Sequence, residues 1–216
     1  MSQLPDPFAL AGLLAGMALV PFVAIMVTSF VKLAVVLSLV RNALGVQQIP
    51  PNMALYGLAL ILTVYIMAPV GHQIHGSLQG LEIDATTSKG LMQAVETGAE
   101  PLREFLLKHT SAEQRAFFLS TAARLWPQDM SASLSQDSFF ILGPAFTTAE
   151  LSSAFQIGFL LYLPFVVIDL IVSNILLAMG MMMVSPMTIS LPLKLLLFVM
   201  VDGWSRLVEG LVLSYA

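Results

Sequence analysis

Asp169 is the residue best placed by its surroundings to do chemistry. It interrupts an apolar run that carries no charge from Leu151 to Ile168 and that resumes to Met183. A carboxylate at that depth is costly in lipid and normally faces water or a partner. It could relay a proton or an ion. A relay needs a second acid nearby, and none is evident within the apolar runs, so a contact with Lys32, Lys194 or a neighbouring subunit is the better reading. Lys32 lies near one end of the first apolar block, where a buried partner or snorkelling of the ammonium to the interface would accommodate it. His72 and His75 have the i, i+3 spacing that metal ligands use. No third ligand is in register with them, and Gly71 and Gly76 weaken the helix that would align them.

Hydrolytic chemistry finds no footing. The apolar blocks hold neither a G-x-S-x-G turn nor a Ser–His pairing. Aspartyl catalysis needs two acids at membrane depth, and only Asp169 qualifies. The chain has no cysteine, which removes thiol catalysis, zinc-thiolate sites and iron–sulfur clusters. An enzyme is not expected, nor a cofactor or metal.

The methionines suggest a mechanical role instead. Five of the 13 fall between residues 179 and 187: Met179, Met181, Met182, Met183 and Met187. An unbranched, polarizable thioether adapts its shape, so a ring of them could close a pore and yield to a passing chain. Ordinary packing is the competing reading. The place of the cluster favours the seal, because Gly180 and Pro186 bracket a turn between two apolar blocks. Irregular backbone at such depth is tolerated only inside protein or along a cavity.

The composition agrees with a membrane or assembly subunit. Hydrophobic residues make up 57% and charged residues 10% of the 216, against about 25% charged in a typical soluble domain. The net charge of −4 comes without a long basic run, so nucleic acid is not an expected partner. Met1–Pro7 has no Lys or Arg and is not expected to act as a signal peptide.

Four apolar blocks are predicted, arranged as a pair, an insert and a pair. The first runs Phe8 to Val40 as one long helix kinked at Pro21. A loop with Arg41, Gly45, Pro50 and Pro51 leads to a second, Met53 to Val70, opened by Asn52 and ended by Pro69 and Gly71. The segment Gly71–Ile141 holds eight Asp/Glu and five Lys/Arg and reads as a small water-exposed helical insert. In it Ala99–Lys108 is amphipathic, and Thr110 with Glu113 matches a capping box. A second such box, Thr147 with Glu150, opens the third block, which Pro164 should bend. The last block, Leu191 to Val201, contains Lys194. Units of 1–70, 71–146 and 147–216 follow. The placement of Arg41, Lys32 and Lys194 predicts both termini and the insert outside the cytoplasm.

Several strings together resemble the SctR/FliP family of type III secretion export proteins. Thr28-Ser29-Phe30-Val31-Lys32 and Leu39-Val40-Arg41-Asn42-Ala43-Leu44-Gly45, continuing to Pro50-Pro51-Asn52, are similar to its first hairpin. Ala154-Phe155-Gln156-Ile157-Gly158-Phe159, Leu163-Pro164 through Asp169-Leu170, and Leu177-Ala178-Met179-Gly180-Met181-Met182-Met183 resemble its second, as does the ending from Lys194 to Trp204. Gly45-Val46-Gln47-Gln48 resembles the injectisome branch, SctR, rather than the flagellar branch.

The resemblance implies an all-α fold of membrane-associated hairpins, assembled into a helical ring that rises out of the bilayer plane, with a small α-helical periplasmic insert. It implies a ring of copies, five being the expected number, in the bacterial inner membrane with SctS-, SctT- and SctU-type proteins, passing unfolded secreted substrates. Met181, Met182 and Met183 would be the pore gasket. Lys32, Arg41, Asn42, Gln156, Asp169, Asn174 and Lys194 would make polar contacts between helices or subunits. Pro50, Pro51, Pro164, Gly180 and Pro186 would shape hinges and loops. The competing reading is an ion-coupled transporter or proton channel using Asp169.

Overall fold

The structure, a computed structural model, describes residue 18 and residues 21–46, 48–79 and 88–216. The N-terminal part of the first apolar block, the Met1–Pro7 segment and Gln47 lie outside them. Among the described residues there is no strand, and the fold is all-α. The helices are α1 (Phe30–Leu44), α2 (Asn52–Gln79), α3 (Ser88–Lys108), α4 (Ala112–Leu125), α5 (Gln128–Ser131), α6 (Phe139–Ala178), α7 (Pro186–Met200) and α8 (Gly203–Leu213).

α1 is the hub. Leu33, Val36, Leu37, Val40 and Leu44 recur at helical spacing along one face, Ala34 and Ala43 widen it on either side, and all are buried. A buried face this wide needs several neighbours. Leu55, Ala59 and Leu62 of α2, Ala154 and Phe165 of α6, Phe198 of α7, and Leu207 and Leu211 of α8 supply them. The closest approach is at Gly158 of α6, where a Cβ would lie 2.3 Å from Leu39 Cδ1. Only glycine lets the two helices meet there.

The single helix expected from Phe8 to Val40 is broken at residues 27–29, between a helical piece at 21–26 and α1. The expected stop at Pro69 and Gly71 is also overturned, because α2 runs on to Gln79. Pro69 removes one i→i−4 bond, but packing beyond it carries the helix. Leu78 and Ile74 lie 3.6–3.9 Å from where a Cβ on Gly98 of α3 would sit. His72 and His75 are therefore helical, and His75 Nε2 lies 2.8 Å from Gln79 Nε2. No group of three metal-ligating side chains occurs among the described residues.

Both predicted capping boxes are corrected. At α4 the cap is one residue later: Gln114 N–H donates to Ser111 Oγ and Ser111 N–H donates to Gln114 Oε1. Ser111 has the extended backbone a cap requires, whereas Thr110 is buried. At the third block no cap exists, because α6 starts at Phe139. Thr147 lies inside it, donating to Gly143 O at 2.9 Å and Met26 O at 3.1 Å. Helices α2 and α6 cross residues 70/71 and 146/147 without a break.

Among the described residues two helices are long and apolar enough to cross a membrane, α2 with 28 residues and α6 with 40. α7 and α8, bent by 61°, would together make a third. At 1.5 Å per residue α6 is about 60 Å long, twice the roughly 30 Å hydrocarbon core. Phe155, Phe159, Leu160, Val167 and Leu170 stand exposed along it. Between the hairpins, α3 and α4 pack on the start of α6, with Leu106, Leu142 and Phe146 fully buried.

Candidate functional site

The methionine segment is an ordered turn. α6 ends at Ala178 and α7 begins at Pro186. Met181 N–H donates to Leu176 O at 2.9 Å, and Gly180 N–H donates to Leu177 O at 3.0 Å. That pair of bonds is a Schellman motif, which ends a helix with a left-handed residue. Gly180 supplies it with φ 73°. Pro186 restarts the chain at the first turn of α7, where its missing N–H costs nothing. Between them Met181 is partly covered and the next two are not. Met182 is 79% exposed and Met183 is fully exposed. Soft apolar side chains thus stand exposed at the tip between two long helices.

An ion pair joins the legs beneath the tip. Lys194 Nζ of α7 lies 2.6 Å from Asp169 Oδ2 of α6 and 3.3 Å from Ala43 O of α1. The lysine is nearly buried, while Asp169 keeps 42% of its side chain exposed. Both charged residues lie about 12–14 Å from the loop along their helices. Met187, in the first turn of α7, comes to the same corner: its Cε and Lys194 Nζ would each lie 3.9 Å from a Cβ on Gly45.

Among the described residues the structure buries one acid, Glu150, whose spacing from Thr147 suggests a cap. Glu150 of α6 is 3% exposed, and Oε1 accepts from Lys32 Nζ of α1 at 3.3 Å. Its other oxygen accepts a hydrogen bond from the Tyr215 hydroxyl. The Lys32 ammonium also sits 3.7 Å above the Tyr215 ring, a cation–π contact. His109 and Phe105 close the other sides of that ring, at centroid distances of 5.1 and 6.1 Å. Four parts of the chain meet here; the sequence marks Glu150 only as a cap residue and does not mark Tyr215. A charged residue inside an apolar run was the available signal for Glu150. Tyr215 offered none.

Of the other expected contact residues, Arg41 staples its loop, donating to Asn52 Oδ1 at 2.5 Å and Pro50 O at 3.3 Å. Asn42, Gln156 and Asn174 are exposed, and their side chains make no hydrogen bond among the described residues. Pro164 lies within a continuous α6.

A hairpin framework around a buried hub helix, with long apolar helices, a helical insert and a bare methionine turn, defines a membrane-type assembly subunit. The FliP family model matches residues 13–211. The chain is 58% identical over 215 residues to Yop proteins translocation protein R of Yersinia pestis, covering 100% of this chain and 99% of that one. It is 47% identical over 210 residues to Harpin secretion protein HrcR of Erwinia amylovora, covering 97% of each. It is 47% identical over 218 residues to Virulence protein YscR of Salmonella typhimurium, covering 99% of this chain and 100% of that one. This chain belongs to the FliP family, in its SctR branch.

Proposed function

We propose that the chain is a core subunit of a type III secretion export gate in the bacterial inner membrane, where a ring of its copies conducts unfolded proteins. Its relatives carry the names of translocation and secretion proteins, and the membrane-length helices suit an embedded subunit. The ring has five copies and joins SctS-, SctT- and SctU-type neighbours. The exposed apolar faces of α6, with Gln156 and Asn174 among them, meet those copies and neighbours. The apolar hairpins are built on α1 with α2 and on α6 with α7, and the charged segment between them faces the periplasm.

In this reading Met181, Met182 and Met183 form the gasket. The observation that carries it is their exposure on an ordered turn between two rigid legs. A closed ring of thioethers excludes water, and it reshapes around an extended chain because methionine has several rotamers of similar energy. The subunit contributes shape and sealing rather than bond chemistry. The Asp169 relay is disfavoured because its carboxylate is bound to Lys194 at 2.6 Å. The nearest buried acid of α6, Glu150, lies 19 residues away, about 28 Å along the helix.

Replacing Met181, Met182 and Met183 together with Ala, in cells that make the whole apparatus, tests the gasket. The reading expects small solutes to leak across the inner membrane while the complex keeps its native mass. An assembled complex that neither leaks nor changes its secretion would refute it.

A further inference from the structure

We infer that Asp169 and Lys194 form a cinch that sets how freely the methionine turn can spread, so that they act as positioning residues for the gate. This rests on the gasket reading of the turn and extends it to what controls the seal.

The geometry ties three elements at one level. Lys194 Nζ donates to Asp169 Oδ2 at 2.6 Å and to Ala43 O at 3.3 Å. The first bond joins the two legs of the loop to each other, and the second joins one leg to the hub helix. Ala43 lies in the last turn of α1, which is closed by the left-handed Gly45 donating to Asn42 O, so its carbonyl is free to accept from Lys194. The amine is 4% exposed, and a charge-assisted bond in so dry a place is stronger than one in water. Met187, at the foot of α7, packs into the same corner against Gly45. Above this level no side-chain hydrogen bond or ion pair joins the two legs among the described residues, and the turn is closed by its own backbone bonds.

Two legs pinned about 12–14 Å below a tip behave as a pair of short levers. With the pin in place, the tip moves by side-chain rotation alone. With the pin released, the legs can part, and the separation at the tip grows with them. Asp169 is half open to its surroundings, so the pin lies at the edge of the fold, where it can be broken without opening the core. The roles divide accordingly: the methionines set what the seal is made of, and the cinch sets how tightly it is drawn.

The absence of cysteine makes the test direct. Met183→Cys gives one attachment point for a spin label at the tip, and Leu125→Cys gives a control point on the exposed face of α4. Each would be labelled in the full-length chain in detergent, with Asp169 intact, with Asp169→Asn, and with Lys194→Met. Asp169→Asn is the milder change, because its site is partly exposed. The inference expects both substitutions to mobilise the label at 183 and to leave the label at 125 unchanged. Unchanged mobility at both points would overturn it. Increased mobility at both would also overturn it, since the pair would then hold the whole fold rather than the tip.

In cells with the whole apparatus, Asp169→Asn should raise small-solute leak by about tenfold, the scale of one lost charge-assisted bond. If the triple methionine-to-alanine variant leaks and Asp169→Asn does not, the cinch is wrong and the gasket stands. If neither leaks, the gasket reading fails, and label mobility alone judges the cinch.

Discussion

Lys32 Nζ of α1 and Glu150 Oε1 of α6 are 3.3 Å apart across 118 residues of chain, with each side chain only 4% exposed. A pair buried this deeply is held by what surrounds it as much as by mutual attraction. Removing one charge strands the other in a dry interior, at a cost of about 3–5 kcal/mol. Lys32→Met or Glu150→Gln should therefore lower the thermal midpoint in detergent sharply. Lys32→Met with Glu150→Leu should recover much of that loss, because no charge is then left unpaired. A double variant as unstable as either single one would contradict this account.

Gly158→Ala should destabilise the contact between α1 and α6. Its methyl would sit 2.3 Å from Leu39 Cδ1 and 3.2 Å from Leu39 Cβ, an overlap worth about 1–3 kcal/mol. Adding Leu39→Ala should relieve part of the cost, so the two changes together cost less than their sum. Denaturant unfolding of the four proteins measures that coupling.

Ser111→Ala should cost about 1 kcal/mol by removing the cap that α4 uses. The loss is local to the insert. Amide exchange should quicken in the first turn of α4, over Ala112–Gln114, and leave α1 unaffected.

His109 gives the insert a dependence on pH. Burial, then the neighbouring Lys108 and Lys32 charges, hold its imidazole down at about 4, below the usual 6.5. Above pH 6.5 the ring is neutral folded or unfolded, and the contact with Tyr215 costs nothing. As the pH falls from about 6.5 toward 4, the unfolded chain takes up a proton that the folded chain refuses. Stability should drop through that window. His109→Gln should flatten this part of the profile, read as the difference between the two proteins' thermal midpoints at pH 7.5 and 4.5.

Much of the architecture was legible in the sequence because it is written in local pattern. The apolar blocks, the amphipathic Ala99–Lys108 segment and the Gly180–Pro186 turn all depend on residues within a few positions of one another. The misreadings share a cause. Thr147 and Glu150 have the spacing of a cap, but Glu150 is bonded to residues 118 and 65 positions away, and no local rule sees them. Pro69 and Gly71 look like a terminus, yet α2 continues because α3 packs beside Leu78. The Lys194–Asp169 contact was within reach, since two opposite charges in adjoining apolar blocks have few other ways to be satisfied.

The far-flung bonding of Glu150 bears on the order in which the chain can mature. Lys32 leaves the ribosome long before its carboxylate, and the Tyr215 hydroxyl emerges 65 residues after that. Through most of synthesis the hub helix carries an ammonium with no counter-charge. A cation in that state resists entry into lipid and remains exposed to holding factors or water. The final knot is tied only when residue 215 arrives. Arrival of Tyr215 thus becomes the step that completes this buried cluster, and chains stopped short of it should be cleared rather than incorporated.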